Sequence, residues 1–170
     1  MSDLPVYVLE REFAAPRALV WRTWTEADLL AHWYGPGVET VIHELDVKPG
    51  GQWLNEMKMG ERSGYQKSVY TEVSPPERLV MLMSNTDADW TPTPNPMMPD
   101  WPATLLTVVT FEDVGGATKM TLEWSPHQAS EAEIACFAGA VENLGKGWGA
   151  GMEILEALLL DLQNKPALGM

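Results

Sequence analysis

One cysteine, Cys136, stands in 170 residues, so no internal disulfide can form and a reducing cytoplasm is the expected compartment. Basic residues are also scarce: 11 Lys and Arg stand against 24 Asp and Glu, a net charge of -13. Nucleic acids and anionic membranes attract Lys and Arg through counterion release, and a surface this acidic repels them. Neither is therefore an expected partner. No apolar run approaches the roughly 18 residues of a membrane span. Met1-Ser2-Asp3-Leu4 shows no basic region leading into an apolar stretch, so no signal peptide is expected. Internal repeats and low-complexity tracts are missing too.

Several chemistries lack their motifs. His32, His43 and His127 are scattered and form no HxH, HExxH or CxxC pattern, so no metal or other cofactor is expected. No serine sits in a GxSxG elbow. Gly145-Lys146-Gly147 lacks the GxxxxGK[ST] frame of a phosphate loop. Cys136, between Ala135 and Phe137, has no Cys-His-Asn signature and reads as a small buried residue. With no catalytic motif, the enzyme question stays open.

What is present in excess is Trp, with 8, and Met, with 10. Both are bulky and Met adapts its shape, so they serve a large core or the lining of an apolar cavity. A chain of this length fits one domain, residues 1–170 with a core over 5–163, able to bury about 68–70% of its unfolded surface.

The elements read in order. Pro5 to Phe13 alternates as a strand. Pro16 opens a helix to Thr25, and a second short helix runs from Glu26 to about Trp33, ended by Gly35-Pro36-Gly37. Val38 to Val47 is a strand, and Pro49-Gly50-Gly51 a turn. In the next strand Trp53, Asn55, Met57 and Met59 alternate with Gln52, Leu54, Glu56 and Lys58, the bulky set facing inward. Gly64 to Val73 and Arg78 to Ser84 follow, the latter apolar on both faces. Ala103 to Glu112 and Ala117 to Trp124 make a hairpin around Asp113-Val114-Gly115-Gly116. Ser130 and Glu133 form a capping box. It opens a helical stretch to about Asn164, roughly 51 Å if straight. Gly145, Gly147, Gly149 and Gly151 mark an expected bend or close backbone approach.

Asn85 to Pro102 stands apart. Its five prolines, Pro92, Pro94, Pro96, Pro99 and Pro102, exclude a central strand. It carries Trp90, Met97, Met98 and Trp101, expected to cover a cavity mouth as a lid or to pack against a second subunit, so a homodimer is compatible with the sequence. Strands in succession and one long helix with a wide apolar face give an α+β helix-grip fold. A curved antiparallel sheet of about six or seven strands wraps the C-terminal helix, with two short helices after strand 1.

The wording of the sequence then becomes recognisable. Arg11-Glu12-Phe13, Ala15-Pro16, Val20-Trp21 and Thr25 are followed by His32-Trp33-Tyr34-Gly35-Pro36 and by Glu44-Leu45-Asp46-Val47-Lys48-Pro49-Gly50-Gly51. Pro75-Pro76-Glu77-Arg78-Leu79-Val80 and Gly147-Trp148 come later. Together these resemble the bacterial activator-of-Hsp90-ATPase-homologue-like family within the START/SRPBCC (Bet v 1-like) superfamily, from about residue 5 to 163. The resemblance implies the same helix-grip fold with a hydrophobic cavity between sheet and C-terminal helix. It implies no particular reaction, since members bind lipids, polyketides, hormones or aromatic compounds and a few are enzymes.

The expected function is binding of a small hydrophobic or aromatic molecule in that cavity. The expected lining is Trp53, Asn55, Met57, Tyr65, Met81, Met83, Trp90, Trp101, Trp124, Trp148 and Met152, with Asn55, Tyr65, His43 and Thr107 as the polar contacts that fix orientation. Two other readings compete. One is a cyclase-like or hydrolase-like enzyme working in the same cavity through His43 or Tyr65. The other is a co-chaperone-like interaction module. The Asp46 to Gly51 motif reads as structural, with Asp46 and Lys48 placed to pair.

Overall fold

A computed structural model describes residues 5–34, 39–94 and 98–164. The turn expected at Gly35-Pro36-Gly37, the start of a strand at Val38, and Pro96 and Met97 of the proline-rich segment lie outside the described residues. So do Met1 to Leu4 and the side-chain surroundings of Lys146 and Gly147.

The elements are β1 (Tyr7–Phe13), α1 (Arg17–Thr25), α2 (Ala27–Trp33), β2 (Glu39–Leu45), β3 (Gln52–Met59), β4 (Arg62–Ser74), β5 (Arg78–Thr86), β6 (Leu105–Val114), β7 (Ala117–Pro126) and α3 (Glu131–Asn164). The seven strands form one antiparallel sheet in the order β1-β7-β6-β5-β4-β3-β2. Consecutive strands from β2 to β7 are neighbours, and β1 closes onto β7. This is the helix-grip arrangement expected from the element order.

Residues directly opposite in an antiparallel ladder share a face. The register therefore places Ile42, Asn55, Gln66 and Asn85 in one inward row. Trp53, Ser68, Met83 and Leu105 make the next, and Tyr70, Met81, Thr107, Trp124 and Tyr7 the third. Leu79, Val109, Leu122 and Leu9 complete the apolar floor. The helices cover this face. The backbone of α3 comes close to β1, β7, α1 and α2, and Arg11 of β1 is tied to Glu156 of α3 at 2.7 Å.

The turn before β3 is built by its glycines. Gly50 takes φ +85°, open to glycine at no steric cost. Gly51 donates to the Lys48 carbonyl at 2.8 Å, and Gly50 and Gly51 exchange hydrogen bonds with Tyr70 of β4 at 2.8 and 3.0 Å. Lys48 and Asp46 pair at 3.4 Å, as their spacing suggested.

The capping box forms as expected. Glu133 N–H donates to Ser130 Oγ at 3.2 Å, and Ser130 N–H donates to Glu133 Oε1 at 2.8 Å. Glu133 Oε2 also accepts from Ala103 N–H at 3.0 Å, which pins the end of the proline-rich segment to the start of α3. Those donors, Ser130 first and then Ala103, hold the Glu133 carboxyl below the usual range. A lowered folded-state pKa contributes stability above the unfolded-state value, and that contribution is lost as pH falls through the folded-state value. The stability gap between wild type and Glu133→Gln should therefore shrink in urea titrations as pH drops below about 4. Ser130→Ala should cost about 1 kcal/mol at neutral pH. Equal urea midpoints for Ser130→Ala and wild type would mean that the cap carries no weight.

The glycines of α3 do not interrupt it: the helix is continuous over 34 residues. A Cβ at Gly145 would meet only Tyr7 Oη at 3.6 Å, and one at Gly149 would meet nothing. Helical hydrogen bonding and burial of the apolar face outweigh the glycine propensity cost of about 1 kcal/mol each. Cys136 is half-buried rather than buried, because it lies one position before Phe137, which takes the inward place.

Candidate functional site

The space between α3 and the middle strands is filled by aromatic side chains. Trp148 of α3 stacks nearly parallel to Trp24 of α1, with centroids 6.4 Å apart, and meets Trp124 of β7 edge-on at 5.2 Å. It also meets Tyr34, at the end of α2, at 6.0 Å. Tyr34 packs against Trp33 at 5.7 Å and Trp53 at 4.9 Å, both edge-to-face. Such pairs add about 0.5–1.5 kcal/mol each beyond their burial. Trp33 and Trp24 meet at 4.8 Å, and the Trp33 indole donates to the Thr23 carbonyl at 2.9 Å.

Polar groups are set within this aromatic layer. Tyr34 Oη donates to Gln66 Oε1 at 3.0 Å and lies 4.0 Å from the Met83 sulfur. Burial pushes the ionisation of the Tyr34 and Tyr70 hydroxyls well above the ordinary tyrosine value, so both are neutral at physiological pH. Asn55 is 1% exposed, yet neither its amide nitrogen nor its oxygen has a hydrogen-bond partner among the described residues. The same holds for Thr107 Oγ1, Tyr70 Oη and the indole N–H groups of Trp24, Trp53 and Trp124. Buried polar atoms are ordinarily paired, at a cost of about 1–3 kcal/mol when they are not. Six of these seven atoms belong to residues of the inward sheet rows, and the seventh, Trp24 Nε1, to α1.

Of the residues expected to line a cavity, Trp53, Asn55, Met81, Met83, Trp124, Trp148 and Met152 meet here. Met81 and Met152 are fully buried. Met57 shares the inward face but is half-buried, at the sheet's end where Gly64 and Thr40 oppose it. Trp101 also stays on the inner side, its ring 5.5 Å from that of Phe137 of α3. Beside it Gln66, Met83, Asn85, Trp101, Pro102, Leu105 and Trp124 line a recess of about 30 Å³, room for one water.

Tyr65, Trp90 and His43 are elsewhere. Tyr65 lies opposite Glu56, not Asn55, so it faces outward. His43 pairs with Glu56 Oε1 at 2.8 Å on the same outer face, and Ser63 Oγ donates to Glu56 Oε2 at 2.6 Å. These bonds, that of Ser63 first, lower the Glu56 carboxyl. Trp90, at φ +65°, lays its indole between His43 and Tyr65, 5.4 Å from each. The described parts of the proline-rich segment thus reach both faces of the sheet: Trp90 covers the outer face and Trp101 the inner. Both bulky rings find their packing within the chain. Ser63 donates to the carboxylate rather than to His43, so the cluster lacks a nucleophile-to-base hydrogen bond. His43 and Tyr65, on which a catalytic reading of the interior rested, face away from it. Met59, expected inward, is 51% exposed.

Sequence reasoning missed Tyr34, Gln66, Ser68, Tyr70 and Asn85. The alternation Gly64, Gln66, Ser68, Tyr70 was the available signal, and it becomes decisive only once β4 is registered against β3.

Among the described residues no three His, Cys, Asp or Glu side chains gather as a metal site, and no helix is long and apolar enough to cross a membrane. No curated protein matches the sequence significantly. Solved structures do. A Mycobacterium smegmatis protein is similar at 23% identity with a TM-score of 0.73, covering 93% of this chain and 96% of that one. An Arthrobacter aurescens protein is similar at 19% and 0.76, covering 92% and 86%. One from Staphylococcus epidermidis is similar at 19% and 0.75, covering 98% and 95%. These likenesses establish the fold. A family model described as activator of Hsp90 ATPase homolog 1-like protein matches residues 14–159, which spans α1 to the last turns of α3, and the chain belongs to that family.

Proposed function

We propose that this chain is a cytoplasmic binding protein for a small, mostly apolar or aromatic molecule held between the concave sheet face and α3. The observation that carries the reading is the set of buried polar atoms without partners among the described residues, Asn55 foremost, set among the rings of Tyr34, Trp53, Trp124 and Trp148. Binding sites for small molecules combine this apolar lining with a few polar groups that fix orientation. The recess beside Trp101 is the way in, and a ligand larger than water enters as Trp101 and Pro102 move off Phe137 and Trp124.

Native mass spectrometry of the purified protein, followed by organic extraction, tests this directly. A stoichiometric apolar compound is the expected result. Protein that carries nothing, and whose tryptophan emission shows no saturable change with any apolar probe, would overturn the reading. Thr107→Val supplies a second check. It removes an unpartnered buried hydroxyl at nearly constant volume, so it should raise stability by about 1 kcal/mol while weakening binding of the extracted compound. A destabilised variant would show that the hydroxyl is satisfied in the folded protein.

A further inference from the structure

The chemistry of the interior narrows the ligand further, on the reading just given that the interior is a binding site. Among the described residues the buried polar side chains are all uncharged: Thr23, Asn55, Ser68, Thr86, Thr107 and Thr118. The buried tyrosine hydroxyls are held neutral. Arg11, a charged residue in the inward register, is engaged by Glu156. Among the described residues a charged ligand would meet no buried counter-charge there, and an unpaired buried charge is far costlier than an unpaired dipole. The ligand is therefore neutral.

Asn55 then sets its polar edge. Its carboxamide offers one N–H₂ donor and one carbonyl acceptor side by side in a plane, and both are buried and unpartnered. Its row neighbour Ile42 is apolar, and the other neighbour, Gln66, has its oxygen engaged by Tyr34. A group that pairs with one N–H and the C=O of Asn55 together must present an acceptor and a donor at the same spacing. The requirement holds whichever way round the amide is placed. The surrounding aromatic rings favour a flat partner.

We propose that the ligand is an uncharged, flat ring compound with a lactam or cyclic-imide edge, whose adjacent N–H and C=O form two parallel hydrogen bonds with the Asn55 carboxamide.

The test is a ladder of bicyclic probes of nearly equal size, followed by calorimetry or ligand-observed NMR. The probes are 2-quinolinone (lactam), quinoline (acceptor only), naphthalene (neither) and 2-naphthoate (charged). The wild-type protein should bind 2-quinolinone at least about tenfold more tightly than quinoline or naphthalene, each tenfold being one step of 1.4 kcal/mol, and should bind 2-naphthoate weakest. Asn55→Leu should erase the lactam preference while keeping naphthalene affinity. Equal binding of naphthalene and 2-quinolinone by wild type would overturn the ligand class and leave the apolar binding site standing. So would tightest binding of 2-naphthoate, or a lactam preference that survives in Asn55→Leu. Binding of none of the four would overturn the binding-site reading and this class with it. Should Asn55→Leu fail to fold, the wild-type ladder decides by itself.

Discussion

Trp33→Ala is expected to destabilise the protein by about 3–5 kcal/mol, the usual range for a large aromatic removed from a core. The reason is position. The indole is 1% exposed and wedged between Trp24 and Tyr34. Its N–H satisfies the Thr23 carbonyl at the end of α1, so the truncation also strands a buried acceptor. Tyr34 loses its backing, and with it the geometry that holds Gln66. For a chain of this length each kcal/mol lowers the melting temperature by about 2–4 °C, so the shift should reach roughly 6–20 °C. Val6→Ala, at a site 45% exposed, should move it by no more than about 0.5 kcal/mol. Guanidinium denaturation of the three proteins settles the point. A Trp33→Ala variant within 1 kcal/mol of wild type would mean that the aromatic layer does not act as one packed unit.

Gly51→Ala should be nearly as damaging, on the order of 3 kcal/mol or more. A Cβ there would overlap the Asp46 carbonyl oxygen and lie 2.9 Å from the Asp46 carbonyl carbon. Both are backbone atoms, so no side-chain rotation gives relief and the turn itself must open. Opening it breaks the pairing of Gly50 and Gly51 with Tyr70 and shifts the start of β3, where Trp53 and Asn55 project inward. The neighbouring Gly50→Ala makes a clean comparison. Nothing lies within 4 Å of its Cβ, and the cost is the positive φ alone, about 1–2 kcal/mol. Denaturation midpoints that rank Gly50→Ala as the worse of the two would show that conformation, not close approach, governs this turn.

The aromatic layer explains why much of the interior was readable in advance. Period-two alternation places Trp53 and Asn55 on one face whatever their partners are, and the burial of that face follows from its bulk. The i, i+4, i+7 pattern places Trp148, Met152 and Leu155 on one side of α3 in the same way. Tyr65 was misplaced for a reason of register. The turn at Gly60-Glu61 pairs Met59 with Arg62, which sets Tyr65 opposite Glu56, and a shift of one residue would have turned it inward. His43 sits at the irregularity between Ile42 and Glu44, where a bulge breaks the alternation of β2. Trp90 depends on a turn in which Asp87 Oδ1 accepts from the N–H groups of Asp89 and Thr91, a local geometry that hydrophobic patterning does not encode.

The sequence by itself determined the order of strands and helices, the α+β class, the cap of α3 and the bulky inward face of β3. Each of these depends on neighbours a few residues apart. Tertiary structure alone decided which strands meet, which face of β4 lines the interior, and where the two halves of the proline-rich segment go. It also decided that Asn55 and Thr107, from strands far apart in the chain, lie buried in one aromatic interior without partners among the described residues. Those outcomes rest on contacts between distant segments, whose register is fixed by turns and bulges and whose polar cost is visible only once the chain has closed around α3.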